Sequence, residues 1–142
     1  MKHQLRIPSH IQHLNEVESF IQGIIEFYDL PESMHGHFML TICESVNNAI
    51  FHGNKQDLNK HVHIVIDDGN SELQVSVADE GDGFDYLNLP DPTTRPYIRN
   101  ERGRGLFLIK NLAEDVVFHN NGSTIQFKFN IKRESELLLR GS

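Results

Sequence analysis

The residues best suited to chemistry lie in one stretch, "ESVNNAIFHGN", where polar side chains interrupt an apolar helical pattern. Glu44 and Asn48 are four residues apart, so they share one face of a helix, and His52 continues the same row. Asparagine is a poor residue for a helix interior, so two in succession need a reason. This stretch alone leaves two readings open: a functional polar row, or a solvent-facing edge that frays before its cap.

A second candidate, Asp79, follows the strand-like segment "LQVSVA". Asp79 is in phase with the apolar residues of that segment, so its side chain is expected to face the side that they bury. A buried carboxylate without a partner costs several kcal/mol or acquires a raised pKa. Gly81 and Gly83 follow at once, and glycines let a backbone pass close to another group. We therefore predict an acceptor for an amino group on a flat ligand; the alternative, an exposed hairpin turn, conflicts with the phase.

The third candidate is "ERGRGLFLIKNL", in which Gly103 and Gly105 precede an apolar helix. The first amides of such a helix can point at an anion. A glycine pair is found before many helices, so this signal is weak when taken alone. The sequence contains neither a Walker lysine pattern nor a Rossmann fingerprint after a first strand, which argues against those nucleotide-binding folds.

Other reactive side chains fit structural roles better. His61 and His63 share one strand face opposite apolar neighbours, which is typical of a solvated sheet face rather than of a zinc site. Cys43 lies on the apolar side of its helix, so we predict an inert core thiol. As the only cysteine in the sequence, it excludes an internal disulfide.

The elements that position these candidates follow from hydrophobic periodicity. We predict a strand over residues 3–8 and a helix that begins near His10, with Ser9 as its cap, and that continues to Tyr28. A second helix is predicted to end at about His52, with Gly53 as its cap. A hairpin turning at "DDGN", a helix over 105–114 and a closing hairpin over 116–131 complete the order. This order predicts an α+β fold, a two-layer sandwich with a mixed or antiparallel sheet and helices on one face. The irregular segment 84–102 is expected to be functional or mobile.

Composition narrows the class of protein. The 142 residues suit one domain, with a core at about 3–131 and a tail over 132–142 that is frayed or a remnant of cloning. The net charge of −7 argues against binding a nucleic-acid backbone, although one nucleotide needs only local donors. No apolar run approaches membrane-spanning length and no signal core is visible, so we expect a cytoplasmic protein.

Taken together, "ESVNNAIFHGN", "DEGDGF", "GRGLFLIKNL" and "NGSTIQFKF" resemble, in order and spacing, the ATP-binding domain of the GHKL superfamily. Gyrase, histidine kinases, large heat-shock chaperones and mismatch-repair ATPases share this domain. The resemblance covers about residues 35–131 and implies the Bergerat-type, histidine-kinase-like fold. The short chain, the "HGN" ending and the segment "PDPTTRPYIRNERGRGLF" are most similar to bacterial anti-sigma factor serine-protein kinases.

The resemblance also implies roles for the candidate residues. Glu44 would act as the general base, and Asn48 would hold Mg²⁺ between the phosphates of ATP. Asp79 would accept the adenine amino group, and Gly81 and Gly83 would shape the wall around the base. The phosphates would be bound at the start of the last helix, by Gly103, Arg104, Gly105 and the amides of Leu106 and Phe107.

Two of the roles implied by the resemblance stay open. The family has a threonine after the last glycine that assists the aspartate through water, whereas this chain offers Ser123 and Thr124. Ser123 is favoured because it is in phase with Ile125. Arg102 and Arg104 lie where they could reach the γ-phosphate, with a purely solvated role as the alternative.

The implied activity is that of an ATP- and Mg²⁺-dependent protein-serine kinase that also binds a sigma factor. Its substrate would be a small anti-sigma-antagonist protein of the STAS type, and the family suggests a homodimer, with no direct contact to nucleic acid or membrane. Histidine kinases need a second, phospho-accepting domain, and we expect that these 142 residues leave no room for one. A nucleotide-binding partner switch without catalysis and a simple ATP hydrolase are the alternatives.

Overall fold

The computed structural model of the protein describes residues 1–88 and 101–131. The expectation for the tail, and most of that for segment 84–102, therefore concern residues outside the described ranges. The strands are β1 (Lys2–Pro8), β2 (His61–Gly69), β3 (Glu72–Ala78), β4 (Glu114–His119) and β5 (Thr124–Asn130), and the helices are α1 (Leu14–Phe27), α2 (Glu32–Asn48) and α3 (Glu101–Leu112).

The five strands form one sheet in the order β1-β2-β3-β5-β4, and each of these pairs is antiparallel. Alternate residues of β2, β3 and β5 are buried, because one face of each strand points to the core. Buried residues of α1, α2 and α3 belong to the same core. The α+β sandwich predicted from periodicity is confirmed, with the antiparallel form of the sheet.

The contact between helix layer and sheet is clearest at Phe38 of α2. Its ring is fully buried and meets Phe129 of β5 edge to face, with 5.2 Å between ring centroids. Burying a phenylalanine side chain contributes roughly 1.5–3 kcal/mol, so this contact helps fix α2 across the sheet. Within the described part of the chain, no helix has the length and apolar character to cross a membrane.

The start of α1 differs from the prediction that Ser9 caps it. A short 3-10 turn, Ile11–His13, precedes α1, and His10 caps that turn: its Nδ1 accepts a hydrogen bond from the Gln12 amide at 3.1 Å. Ser9 is instead fully buried, and its hydroxyl donates to the carbonyl of Lys60 at 2.7 Å. The capping prediction was wrong because a long-range partner competes for this hydroxyl.

The end of α2 also differs from its prediction. A π-helical turn, Ala49–Gly53, follows α2, and the chain leaves it at Asn54, whose amide donates to the Ala49 carbonyl at 2.8 Å. Gly53 does not adopt the left-handed backbone of a glycine cap; among the described glycines only Gly83 and Gly122 have positive φ. A tertiary contact, described below, explains the glycine at position 53.

The limits of α3 and of the β2–β3 hairpin also differ from their predictions. The helix predicted over 105–114 begins at Glu101, so Gly103 and Gly105 lie inside α3, and β4 already starts at Glu114. Glycine is a poor helix former, so local preference misplaces this helix start. The β2–β3 hairpin turns at Asn70 and Ser71, with φ of 52° and 66°, just beyond the predicted "DDGN" centre.

Candidate functional site

A polar cleft of about 420 Å³ opens between α2 with its π turn and α3. The α2 wall is a single helical face, because its residues stand three, four, seven and eight positions after the first. The cleft is lined by Glu44, Asn47, Asn48, Phe51, His52, Arg104, Gly105 and Leu108. The row that the sequence indicated is therefore present. Asn47 and Phe51 were missed, although their spacing from Glu44 placed them on the same face.

Two asparagines in this row have buried polar atoms without partners. Within the described residues, Nδ2 of Asn48 and Oδ1 of Asn47 make no hydrogen bond. Leaving a buried polar group unpaired costs about 1–3 kcal/mol, and folded proteins contain few such groups. A bound ligand that supplies the missing partners is the simplest reason for keeping both side chains.

The chemistry of Asn48 fits a divalent cation. A 180° rotation of its amide exchanges nitrogen and oxygen without changing the shape of the side chain, so an oxygen can occupy the orphaned position. Amide and carboxylate oxygens are the ligands that Mg²⁺ prefers, and the carboxylate of Glu44 lies one helical turn away in the same cleft. The residues present are thus compatible with Mg²⁺ held at Asn48.

Gly105 brings α3 against the Glu44–Asn48 pair. A Cβ added to Gly105 would lie 3.0 Å from Oε2 of Glu44 and 3.3 Å from Nδ2 of Asn48. Any larger side chain would fill the space between these two groups. No described residue forms a hydrogen bond or an ion pair with the Glu44 carboxylate, so its oxygens are available to a ligand in the cleft.

Asp79 lies beside a separate, much narrower crevice. Its amide donates to the Ser123 carbonyl at 2.9 Å, and its Oδ1 accepts from the Gly81 amide at 2.8 Å. The crevice has an accessible volume of about 20 Å³, enough for roughly one water molecule. Its other lining residues are mostly apolar and include Val77, Phe84, Leu106, Phe118 and Ile125. Asn48 lines both the crevice and the cleft, so the two spaces meet at this residue.

Gly53 and Gly81 interlock next to Asp79. A Cβ on Gly53 would lie 2.2 Å from Oδ2 of Asp79, and a Cβ on Gly81 would lie 2.2 Å from the Gly53 carbonyl oxygen. At Gly81 a side chain would clash with backbone, whereas at Gly53 it would displace the carboxylate of Asp79. Gly83 is constrained as well, since it has φ of 83° and a Cβ there would lie 2.1 Å from the Asn121 carbonyl oxygen. The close approaches predicted at Gly81 and Gly83 are thus made to protein backbone, and their role toward a base stays a prediction.

The predicted phosphate-binding residues near the start of α3 differ in their exposure and in their position along the helix. Arg104 is exposed and lines the cleft, whereas Gly103 is buried. Leu106 and Phe107 lie beyond the first helical turn, where amides normally bond to carbonyls of the same helix. The side chain of Leu106 lines the crevice instead, and that of Phe107 is 46% exposed. Phosphate binding by their amides stays a prediction, and it requires this turn to unwind.

On the opposite side of the crevice, Ser123 is a lining residue, whereas Thr124 pairs with Ala78 in the sheet. The hydroxyl of Ser123 donates to the Asn120 carbonyl at 2.9 Å. Its predicted contact with Asp79 through water is not tested by this geometry. The placement agrees with the phase argument that favoured Ser123.

The remaining reactive side chains behave as follows. Among residues 1–88 and 101–131, no group of three or more His, Cys, Asp or Glu side chains is arranged to hold a metal ion. Cys43 is partly buried against the core. Burial, with a smaller effect from Glu18 and Glu44, raises the pKa of its thiol to about 11, so the thiol is protonated at neutral pH.

Comparison with known sequences finds similar proteins along nearly the whole chain. A family model described as "Histidine kinase-like ATPase domain" matches residues 7–129. The serine-protein kinases RsbW of Staphylococcus aureus strains MSSA476 and JH9 are each 26% identical over 140 residues, spanning 92% of this chain and 87% of theirs.

Solved structures give the same picture of the fold. The RsbU and RsbW domains of Rv1364c from Mycobacterium tuberculosis superpose with a TM-score of 0.63 at 14% identity, covering 91% of this chain and 31% of that one. The blue-light activated histidine kinase EL346 of Erythrobacter litoralis gives 0.57 at 18% identity, covering 92% and 44%. The protein thus spans less than half of either chain. Since the family model covers most of the sequence, the protein belongs to the histidine kinase-like ATPase domain family.

Proposed function

We propose that the protein uses ATP with Mg²⁺ to phosphorylate a serine of a separate protein. Family membership and the similarity to RsbW serine-protein kinases support an ATP-using kinase. The single observation that carries the finer proposal is Glu44. Its carboxylate lies in the open cleft, without a hydrogen bond from the described residues, one helical turn before Asn48. A domain that only binds nucleotide does not need a carboxylate there.

In this proposal the crevice and the cleft bind different parts of the nucleotide. The base would enter the crevice and offer its amino group to Asp79, while the phosphates would lie in the cleft beside Arg104. Asn48 stands where the two spaces meet, which is the position for a ligand of a cation bound among the phosphates. The Mg²⁺ would supply positive charge that offsets the phosphates during transfer.

Glu44 would act on the incoming hydroxyl. Proton transfer from a serine hydroxyl to a positioned carboxylate assists its attack on phosphorus. Among the described residues the cleft in front of Glu44 opens to the surface, and a serine of another protein would reach the carboxylate through it. Phosphoryl transfer needs little covalent chemistry from the protein, and positioning with charge stabilisation supplies most of the catalysis.

The resemblance to anti-sigma factor kinases guides our proposal for partners. We infer that the substrate is a small anti-sigma-antagonist protein of the STAS type, that a sigma factor is the second partner, and that the kinase acts as a homodimer. Recovery of partners from native cells, followed by mapping of phosphoserine, identifies both proteins directly. Sedimentation of the purified chain at several concentrations tests the dimer.

The test of catalysis compares Glu44→Gln, Asn48→Ala and the wild type. Glu44→Gln keeps the shape of the side chain, so ATP binding should be nearly unchanged while phosphoserine formation falls by about 10²–10⁴-fold. Asn48→Ala should lose Mg²⁺-dependent ATP binding and catalysis together. Glu26→Gln, on the exposed face of α1, is the matched control and should behave as wild type.

The outcomes separate three functions. A wild-type protein that binds ATP and its partner but transfers no phosphate would refute the kinase and leave the partner switch. Release of inorganic phosphate at the same rate with and without the partner would instead indicate a simple hydrolase. Nucleotide affinity is measured by calorimetry and transfer by phosphoserine detection on the partner.

A further inference from the structure

Asn54 is a buried polar side chain whose amide is fully engaged. It is 1% exposed, and it follows directly after Gly53 at the end of the π turn. Its Nδ2 donates to the Ser9 hydroxyl at 2.7 Å and to the His61 carbonyl at 2.9 Å. Its Oδ1 accepts from the Glu80 amide at 2.7 Å.

These three bonds join segments that are distant in sequence. Ser9 follows β1, His61 opens β2, and Glu80 belongs to the turn that follows β3. Further bonds tie the first two segments together, since the Ser9 hydroxyl donates to the Lys60 carbonyl at 2.7 Å. The Glu80 carboxylate also accepts from the His61 amide at 2.6 Å. Asn54 thereby connects the end of α2 to the turn that carries Asp79.

The connection constrains the carboxylate of Asp79 from two sides. Glu80, held by Asn54, is the next residue along the chain. Gly53, the residue before Asn54, lies so close that a Cβ on it would be 2.2 Å from Oδ2 of Asp79. The Gly81 amide fixes Oδ1 at 2.8 Å. If the Asn54 bond to Glu80 is lost, the turn keeps its bonds to His61 and Ser123, but the Glu80 amide loses its partner and the carboxylate of Asp79 can shift away from Gly53.

We propose that Asn54 is a positioning residue for base recognition: by holding the Glu80 amide, it aims the Asp79 carboxylate at the amino group of adenine. This inference rests on the proposed nucleotide site. An aimed carboxylate accepts a hydrogen bond from the amino group of ATP but repels the carbonyl oxygen that GTP carries at the same ring position. Asn54 therefore acts on the preference for ATP over GTP.

The test exploits two members of the same network. Ser9→Ala removes one partner of Asn54 but leaves its bond to Glu80, whereas Asn54→Ala removes that bond as well. Both variants should lower the melting temperature, because each disturbs buried hydrogen bonds. Only Asn54→Ala should reduce the ratio of ATP to GTP affinity, by about tenfold or more, while Ser9→Ala changes it by less than about twofold.

A double-mutant cycle with Asp79→Asn shows whether Asn54 acts through Asp79. In the Asp79→Asn background, Asn54→Ala should have no further effect on the affinity ratio. Equal loss of the ratio in Ser9→Ala and Asn54→Ala, or additive effects in the cycle, would overturn the inference. An Asp79→Asn variant with wild-type affinities for both nucleotides would instead refute the proposed site itself.

A second pair of variants covers the case in which Asn54→Ala does not fold. Glu80→Pro deletes the N–H that Asn54 accepts, and Glu80→Ala retains it while removing the same side chain. The proline variant should lose the ATP preference and the alanine variant should keep it. Identical ratios in the two variants would contradict the positioning role.

Discussion

Replacing Gly53 by alanine tests the contact between α2 and Asp79 most directly. The new Cβ would lie 2.2 Å from Oδ2 and 2.3 Å from Cγ of Asp79, whereas ordinary contacts begin at about 3.4 Å. The carboxylate must therefore move by more than about 1 Å. Such a shift breaks a hydrogen bond of normal length, because bonds weaken beyond roughly 3.2 Å.

The expected magnitudes follow from that displacement. Overpacking at this position should destabilise the protein by about 1–3 kcal/mol. Loss of the bond between Asp79 and adenine should cost another ~1–3 kcal/mol in binding, which weakens ATP affinity roughly tenfold to hundredfold. Thermal unfolding measures the first quantity and calorimetry with ATP and Mg²⁺ measures the second.

Gly23 supplies the matched control. It lies on the exposed side of α1, and an added Cβ meets nothing within 4 Å. Gly23→Ala should stabilise the helix by up to ~1 kcal/mol and leave ATP affinity unchanged. A folded Gly53→Ala variant with wild-type ATP affinity would refute the view that the position of Asp79 against Gly53 matters for binding.

Three further predictions concern single side chains. Asp79→Asn should weaken ATP binding by about 1–3 kcal/mol, and calorimetry that shows unchanged affinity contradicts the assignment of the crevice. Asn47→Ala should raise the melting temperature of the nucleotide-free protein, because it removes an unpaired buried atom, yet weaken binding of Mg²⁺·ATP. A lower melting temperature with unchanged affinity would show a structural role instead. Because the pKa of Cys43 is about 11 rather than 9.0, its alkylation at pH 8 should be roughly a hundredfold slower than that of a free thiol. The alkylation rate should keep rising past pH 10, whereas a half-maximal rate near pH 9.0 would indicate an ordinary thiol.

Alternation and helical spacing were sufficient for the layers of the fold. The in-phase apolar residues of β2, β3 and β5 are buried as predicted, because strand periodicity depends only on neighbours along the chain. Whether a residue caps a helix depends also on tertiary contacts with residues that are distant in the sequence. Ser9 looked like a helix cap, but its hydroxyl bonds to Lys60, which no local pattern reveals. Gly53 looked like a C-cap, but glycine is needed there for the contact with Asp79.

The candidate site was likewise predictable where it depends on helical spacing and strand alternation, and not where it depends on contacts between distant residues. Glu44 and Asn48 share a helical face that spacing defines, and the phase of Asp79 placed it beside the crevice. Asn54 was not found, since its partners Ser9 and Glu80 are 45 and 26 residues away. A buried asparagine with distant partners leaves no periodic signal in the sequence.

If the narrow crevice receives the base, as proposed, its small volume has a consequence for nucleotide affinity. With an accessible volume of about 20 Å³, it would have to widen before a purine could enter, so the proposed binding of the base there requires a conformation other than the one described. The apparent dissociation constant is then the intrinsic one divided by the fraction of open molecules. Every tenfold shift of that population changes ATP affinity tenfold. A partner that pulls Leu106 and α3 away from the crevice would thus tighten ATP binding without touching the nucleotide, and the nucleotide would tighten that partner equally.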